Sequence, residues 1–217
     1  MTSQSRSSNK HSILAFGVHP DDIEIGMGGA IAKLSGSGYD VKPVIATLPN
    51  FTKIDVKEQR KREAVVSAKV MGCEQPEFLD LSPDEITFGR KFVTLIDEII
   101  QKYQPEAVFT QWIGDSHQDH HILTKAVIAA SRDIKNLLMY ETTIPGGITE
   151  QSFRPQLYID ISHTLDIKRD ALECFESQKI RAGHLWVNAV IGRSSFRGYQ
   201  MDTVYAEAFE VVRMVKW

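Results

Sequence analysis

ILAFGVHPDDIEIGMGG, residues 13–29, is the stretch whose reading decides the architecture. Its first part, ILAFGV (13–18), is a continuous apolar run suited to a strand covered on both faces. From Ile23 the apolar positions change period to Ile23, Met27, Ala30, Ile31 and Leu34, which is helical spacing. A buried strand leading straight into a helix is the opening of a βαβ unit.

The same alternation repeats outward. SGSG (35–38) closes the helix, and VKPVIAT (41–47) is the next strand, with Pro43 arguing against a central place for it. LPNFTKIDV (48–56) reads as a loop, about 57–71 as a helix with Ala64, Val65, Ala68 and Met71 on one face, and EFLDL (77–81) as a short strand. Phe92, Ile96, Ile99, Ile100 and Tyr103 mark a helix stopped at Gln104-Pro105. Strand AVFTQ (107–111) follows, then a helix turning Ile122, Leu123, Ala126, Val127 and Ala130 inward, then strand LLMYET (137–142). Beyond it, QLYIDI (156–161) reads as a strand, 165–181 as one helix and YAEAFEVVRM (205–214) as a closing strand, while 184–201 gives mixed signals. The fold expected is a Rossmann-like, three-layer α/β/α domain with a mostly parallel sheet. It occupies 13–217, behind a polar, flexible tail at 1–12.

Hydrophobic content of 42% and charged content of 24% place the chain among globular proteins. A net charge of −3 argues against a nucleic-acid binder, which shows an excess of Lys and Arg. No apolar run approaches the roughly 20 residues that span a bilayer, and MTSQSRSSNKHS (1–12) is polar, without the apolar stretch expected of a secretory signal. Cys73 and Cys174 fall in segments read as helical and neither belongs to a CxxC pair. They read as small buried hydrophobes in a reducing compartment, so a cytoplasmic location is expected. Apolar positions in 185–191 and Trp217 offer a surface for a homo-oligomer.

The chemistry concentrates in two clusters, HPDD at 19–22 and GDSHQDHH at 114–121. Each follows a predicted strand, and in such sheets functional groups gather beyond the carboxyl ends of the strands. If the two strands are neighbours, His19, Asp22 and His120 present two imidazoles and a carboxylate to one cation. Three protein ligands and an open position make a catalytic site, whereas structural zinc takes four. Asp21 is then left as a general base beside the metal. His121 competes with His120 as ligand. Asp115 reads as a loop acid, and Asp119 either caps the following helix or orients His117. Trp112 and Trp186 read as core aromatics before sugar-stacking ones. Gly26, Gly28 and Gly29 each cost on the order of 1 kcal/mol inside a helix. Their spacing is G-x-G-G rather than the dinucleotide G-x-G-x-x-G, and two acids sit where a pyrophosphate would lie. Close packing is the reason expected for them. Competing functions are a non-haem iron oxygenase, which uses the same ligand types, a metal-dependent phosphoesterase, and a non-catalytic sugar-binding module.

HPDD after a strand, with DxHxDH about a hundred residues on, resembles the LmbE-like (PIG-L-type) family of zinc-dependent N-deacetylases. QRKREAVVSAKVMG (59–72), LECFESQ (172–178) and YAEAFE (205–210) extend the resemblance along the chain. It implies a Rossmann-like fold and removal of an N-acetyl group from a small N-acetylglucosamine-containing sugar or conjugate. Zn2+ would sit on His19, Asp22 and His120, with Fe2+ as an alternative metal. Asp21 would serve as general base. His117, oriented by Asp119, would stabilise the oxyanion or protonate the leaving amine. Arg60 and Asp84 would contact substrate, although Glu85 stands where the family often has Gly after that Asp.

Overall fold

The computed structural model describes residues 11–48, 54–142, 147, 149, 151–183 and 185–215. The expected tail falls almost wholly outside them, as do much of the loop at 48–56 and Trp217. Seven strands form one sheet: β1 (Ser12–Gly17), β2 (Asp40–Thr47), β3 (Glu77–Leu81), β4 (Ala107–Gln111), β5 (Asn136–Tyr140), β6 (Leu157–Asp160) and β7 (Ala206–Arg213). Their order is β3-β2-β1-β4-β5-β7-β6. The first five run parallel, and β7 pairs antiparallel with both β5 and β6. Helices α1 (Asp22–Gly36), α2 (Ile54–Met71), α3 (Arg90–Tyr103), α4 (Gln118–Ala130), α5 (Leu165–Glu173), α6 (Glu176–Ala182) and α7 (Leu185–Gln200) complete the order.

Alternation within β1 separates two cores. Leu14 and Phe16 face Phe92, Ile96 and Ile100 of α3 and Leu123 and Val127 of α4. Ile13 and Ala15 face Ile23, Met27 and Ile31 of α1 on the other side. The central strands β1, β4 and β5 read as mostly apolar runs because both their faces are covered. Among the described residues no helix is long and apolar enough to cross a membrane.

Several expectations change. Pro43 sits in β2, which has a neighbour on each side, but pairing with β3 begins at Val44, so Pro43 meets only Ala15 of β1. Its missing N–H therefore breaks no bond to β3. The single helix expected at 165–181 is two, α5 and α6, because the chain turns at Cys174–Phe175 to bury Phe175 completely beside Leu172 and Val187. The ambiguous 184–201 stretch is mostly α7. It turns Trp186, Val187 and Val190 inward and leaves Leu185 exposed, so much of 185–191 is core rather than surface. The two cysteines lie just past helix ends and are half-buried, not within helices.

α1 is bent. Met27 has non-helical φ −146° and ψ 23°, which releases backbone groups that a straight helix would pair internally. Glu207 of β7 takes the Gly29 and Ala30 N–H groups at 3.0 and 2.6 Å. Lys168 of α5 pairs with Glu207 and donates to the Ile25 carbonyl at 3.0 Å. A buried ion pair thus satisfies the broken turn, and burial without those partners would be costly. The glycines divide as close packing requires. A Cβ on Gly26 would lie 2.0 Å from the Tyr140 ring, and one on Gly29 would lie 2.8 Å from Ile161, whereas Gly28 leaves an ordinary 3.5 Å.

Candidate metal centre

β1 and β4 are parallel neighbours, with Ile13 opposite Ala107, so the loops that follow them open on the same edge. The chain runs from β1 outward to β2 and β3, then crosses to β4 on the other flank. The crevice between β1 and β4 is therefore the switch point of the sheet, where such folds place their ligands.

His19, Asp22 and His120 meet there, offering one ligand atom each within 4.8 Å of one another. Asp22 Oδ1 lies 3.4 Å from His120 Nε2 and Oδ2 lies 3.5 Å from His19 Nδ1. Asp22 Oδ2 also accepts from the His19 backbone N–H at 2.7 Å and from Gln111 Nε2 at 2.8 Å, which fixes the carboxylate. His120 is 1% exposed, and neither of its ring nitrogens makes a hydrogen bond; Nε2 is the one that faces Asp22 and Nδ1 the one that faces Asp115. A buried imidazole nitrogen left unmatched between neighbouring donors is what a cation site leaves when only protein atoms are counted. Gln111 Oε1 and Arg60 Nε are unmatched as well. The donor set, two imidazoles and one carboxylate, suits a divalent transition metal such as zinc or iron.

The electrostatics agree. Burial alone disfavours a charged His120, yet Asp22 and Asp115 on either side push it up to about 10. Burial also works against the Asp22 carboxylate, but His120 and His19 close beside it hold it well below the usual range. The pocket demands positive charge, and a divalent cation meets that demand.

Asp115 lies in a loop as read, between β4 and α4, but its burial gives it a part that the reading did not assign. It is 3% exposed. Its Oδ2 lies 3.0 Å from His120 Nδ1 and accepts from the Thr142 hydroxyl, while Oδ1 accepts from the His117 backbone N–H at 2.9 Å. A carboxylate at Nδ1 draws the ring proton there and leaves Nε2 for a metal. The clue in the sequence was its place two residues before His117, which burial alone turns into a role. His121 turns its Nε2 to the Asp115 carbonyl, away from the ligand set.

His117, rather than Asp119, caps α4: its Nδ1 accepts from the Asp119 backbone N–H at 3.2 Å. The neutral ring therefore carries its proton on Nε2. Burial, then the nearby His120 and His19, lower the His117 pKa and favour that neutral form. The Asp119 carboxylate lies 3.8 Å from His19 Nε2 and 3.9 Å from His117 Nδ1, so it faces two rings. His19, His117 and Asp119 form a second, more open group of potential ligands.

Asp21 stays outside the ligand set. It precedes α1 with left-handed φ 101° and makes no side-chain cap bond. Its Oδ1 lies 3.3 Å from Arg60 Nη2. Burial pushes its carboxyl up to about 6, against the pull of Arg60. Asp84 sits exposed in a 3₁₀ turn, Pro83–Glu85, and among the described residues none of the site's hydrogen bonds or ion pairs reaches it. Trp112 is buried edge-on to Phe153 at 5.7 Å, and Trp186 belongs to the core.

Comparison with known proteins points the same way. A family model described as PIG-L: GlcNAc-PI de-N-acetylase matches residues 14–131. The uncharacterized deacetylase YaiS of Escherichia coli K12 is 31% identical over 160 residues, covering 71% of this chain and 84% of that protein. The diacetylchitobiose deacetylase of Thermococcus kodakarensis is 28% identical, covering 76% and 69%. The 4-oxalmesaconate hydratase of Pseudomonas putida KT2440 is 24% identical, covering 81% and 75%. In fold, the structure resembles a conserved protein from Thermus thermophilus with a TM-score of 0.82 at 20% identity, covering 94% of this chain and 96% of the other.

Proposed function

This chain belongs to the PIG-L (GlcNAc-PI de-N-acetylase) family, and from that premise we propose that it is a metal-dependent hydrolase removing the N-acetyl group from a small N-acetylglucosamine-type sugar or its conjugate. The observation that carries the reading is the division of labour between adjacent carboxylates. Asp22 is drawn in between His19 and His120, while buried Asp21 is left outside the ligand set. His19, Asp22 and His120 hold the metal, which we assign as zinc with iron as the alternative. When bound, such an ion supplies a water acidified from 15.7 to about 7 and a polarised acyl carbonyl.

The chain's own groups supply the rest. Asp21 takes the proton of the attacking water at its carboxylate, a contribution of about 10²–10⁴ in rate for a well-placed base. His117, neutral and protonated on Nε2, donates a hydrogen bond to the oxyanion as charge develops. Protonated Asp21 then returns its proton to the leaving nitrogen, releasing amine and acetate. Asp119 orients the His19 and His117 rings, and Asp115 does the same for His120. The substrate we assign is soluble and cytoplasmic, since free Cys73 and Cys174 suit a reducing compartment.

The hydratase relative supports a second reading, in which the same base and cation add water across an activated double bond. One assay separates the two. Zinc-loaded protein is given a panel of N-acetylglucosaminides, diacetylchitobiose included, beside unsaturated dicarboxylates, with acetate release and loss of the conjugated absorbance followed in parallel. Acetate from any sugar supports deacetylation. Hydration of a diacid without acetate release would overturn it.

A further inference from the structure

We propose that Arg60 is a positioning residue for Asp21: its guanidinium clamps the Pro20–Asp21 turn and holds the Asp21 carboxylate where a proton must be taken. The inference rests on the reading of Asp21 as general base and adds the device that keeps it in place.

The need for a clamp comes from the backbone. Asp21 is not glycine, yet it holds φ 101° and ψ −27°, a region that L-residues enter only when the surroundings force them. The usual local remedy, an acid folding back to cap its own helix, is absent: Asp21 makes no side-chain cap bond. The carboxylate is thereby kept from the backbone for other work, and the strained turn must be secured from elsewhere.

Arg60 reaches over from α2 to do so. Its Nη2 donates to the Pro20 carbonyl and lies 3.3 Å from Asp21 Oδ1. One guanidinium nitrogen therefore fixes the peptide on one side of the strained residue together with its side chain. Ring-locked Pro20 limits φ on the preceding residue, so the Pro20–Asp21 peptide is held from two directions. The positive charge beside Asp21 also offsets repulsion between adjacent Asp21 and Asp22.

Burial suits a group held against the turn. Arg60 is 6% exposed, and its Nε is sealed from solvent. Nη2 alone makes both contacts to the Pro20–Asp21 turn.

Kinetics of the zinc-loaded enzyme on its best N-acetylglucosaminide distinguish the roles. For Arg60→Ala, kcat falls on the order of 10–100-fold, as expected when a reacting group is misplaced by about an ångström. KM stays within about twofold and one metal per chain is retained. Arg60→Lys, which keeps the charge but lacks the guanidinium's planar fork, recovers part of the loss. Free guanidinium at millimolar concentration rescues Arg60→Ala but not Asp21→Asn, an effect a merely structural residue would not show. A raised KM with kcat preserved, or loss of metal along with turnover, overturns the proposal. A second arm does not depend on any activity: a crystal structure of metal-loaded Arg60→Ala, or of Arg60→Lys should the first not fold. Relaxation of Asp21 out of the left-handed region supports the clamp. An unmoved Asp21 refutes it, even for a protein that proves to be a hydratase.

Discussion

Replacing Gly26 and Gly28 by alanine tests why three glycines occupy one helix. At Gly26 a new Cβ would fall 2.0 Å from Cδ2 of Tyr140, and 2.7 and 2.8 Å from two further ring carbons. That ring cannot step aside. Tyr140 is fully buried, and its hydroxyl donates to the Phe16 carbonyl at 2.7 Å. Forcing an extra methyl into a packed core costs about 1–3 kcal/mol, and breaking the Tyr140 hydrogen bond adds about 1 kcal/mol. The gain from Gly→Ala in a helix returns about 1 kcal/mol, leaving a net loss of about 1–3 kcal/mol. Gly28 differs, because its nearest neighbours would be Lys168 Cγ at 3.5 Å and Met71 Sδ at 3.6 Å. Gly28→Ala therefore keeps most of the helix gain. For a chain of this size, with about 2–4 °C per kcal/mol, Gly26→Ala should lower Tm by about 2–12 °C and Gly28→Ala should hold or raise it by up to about 3 °C. Thermal melts of the metal-free proteins by circular dichroism read both. If Gly26→Ala melts with the wild type, or Gly28→Ala proves the more damaging, packing is not why the glycines are there. A Gly28→Ala protein that is stable but inactive would point instead to close approach of a ligand.

Other substitutions read the site. Asp115→Asn should weaken metal binding about 10–100-fold while the fold persists, because the carboxylate that directs the His120 ring is gone; competition with a chromogenic chelator measures it, and an unchanged affinity would remove Asp115 from the centre. Asp21→Asn should retain one metal per chain and lose at least about 100-fold in kcat, whereas His120→Ala should lose the metal itself, both read by elemental analysis beside acetate release. Burial pushes the Glu24 carboxyl up to about 7 from 4.5. The folded form therefore binds a proton the unfolded chain has shed, and the stability it contributes is full below about pH 4.5 and lost as pH rises through about 7. Urea unfolding of the metal-free protein should show Glu24→Gln removing that decline between pH 5 and 8, and an identical pH slope in the variant would refute the assignment.

Local periodicity was enough to read the sheet. β1, β4 and β5 are apolar over most of their length because helices cover both faces, and a run of that kind is visible without knowing what covers it. The break between α5 and α6 was not legible. The helical pattern continues across Cys174–Phe175, and only the space beside Leu172 and Val187 draws Phe175 out of it. α7 was hidden for a related reason: Gly198 looks like a helix breaker, but a Cβ there would lie 2.6 Å from the Val204 carbonyl, so the glycine answers to the chain returning towards β7.

At the site, the residue types declared themselves. Histidines and carboxylates at 19–22 and 114–121, each after a buried strand, announce a candidate metal centre through composition and spacing. What composition leaves open is which acid serves which ring. That β1 lies beside β4 brings the two clusters together. That Asp115 is buried against His120 makes an ordinary loop acid into a partner of the centre. The bend of α1 at Met27 is held by Lys168 and Glu207, over 140 residues away. Strand and helix period, and the chemistry of single side chains, are properties of short stretches of chain, so the sequence by itself determines them. Partners, burial and the separation of Asp22, between His19 and His120, from Asp21, beside Arg60, depend on contacts between distant segments, and only the tertiary structure decides those.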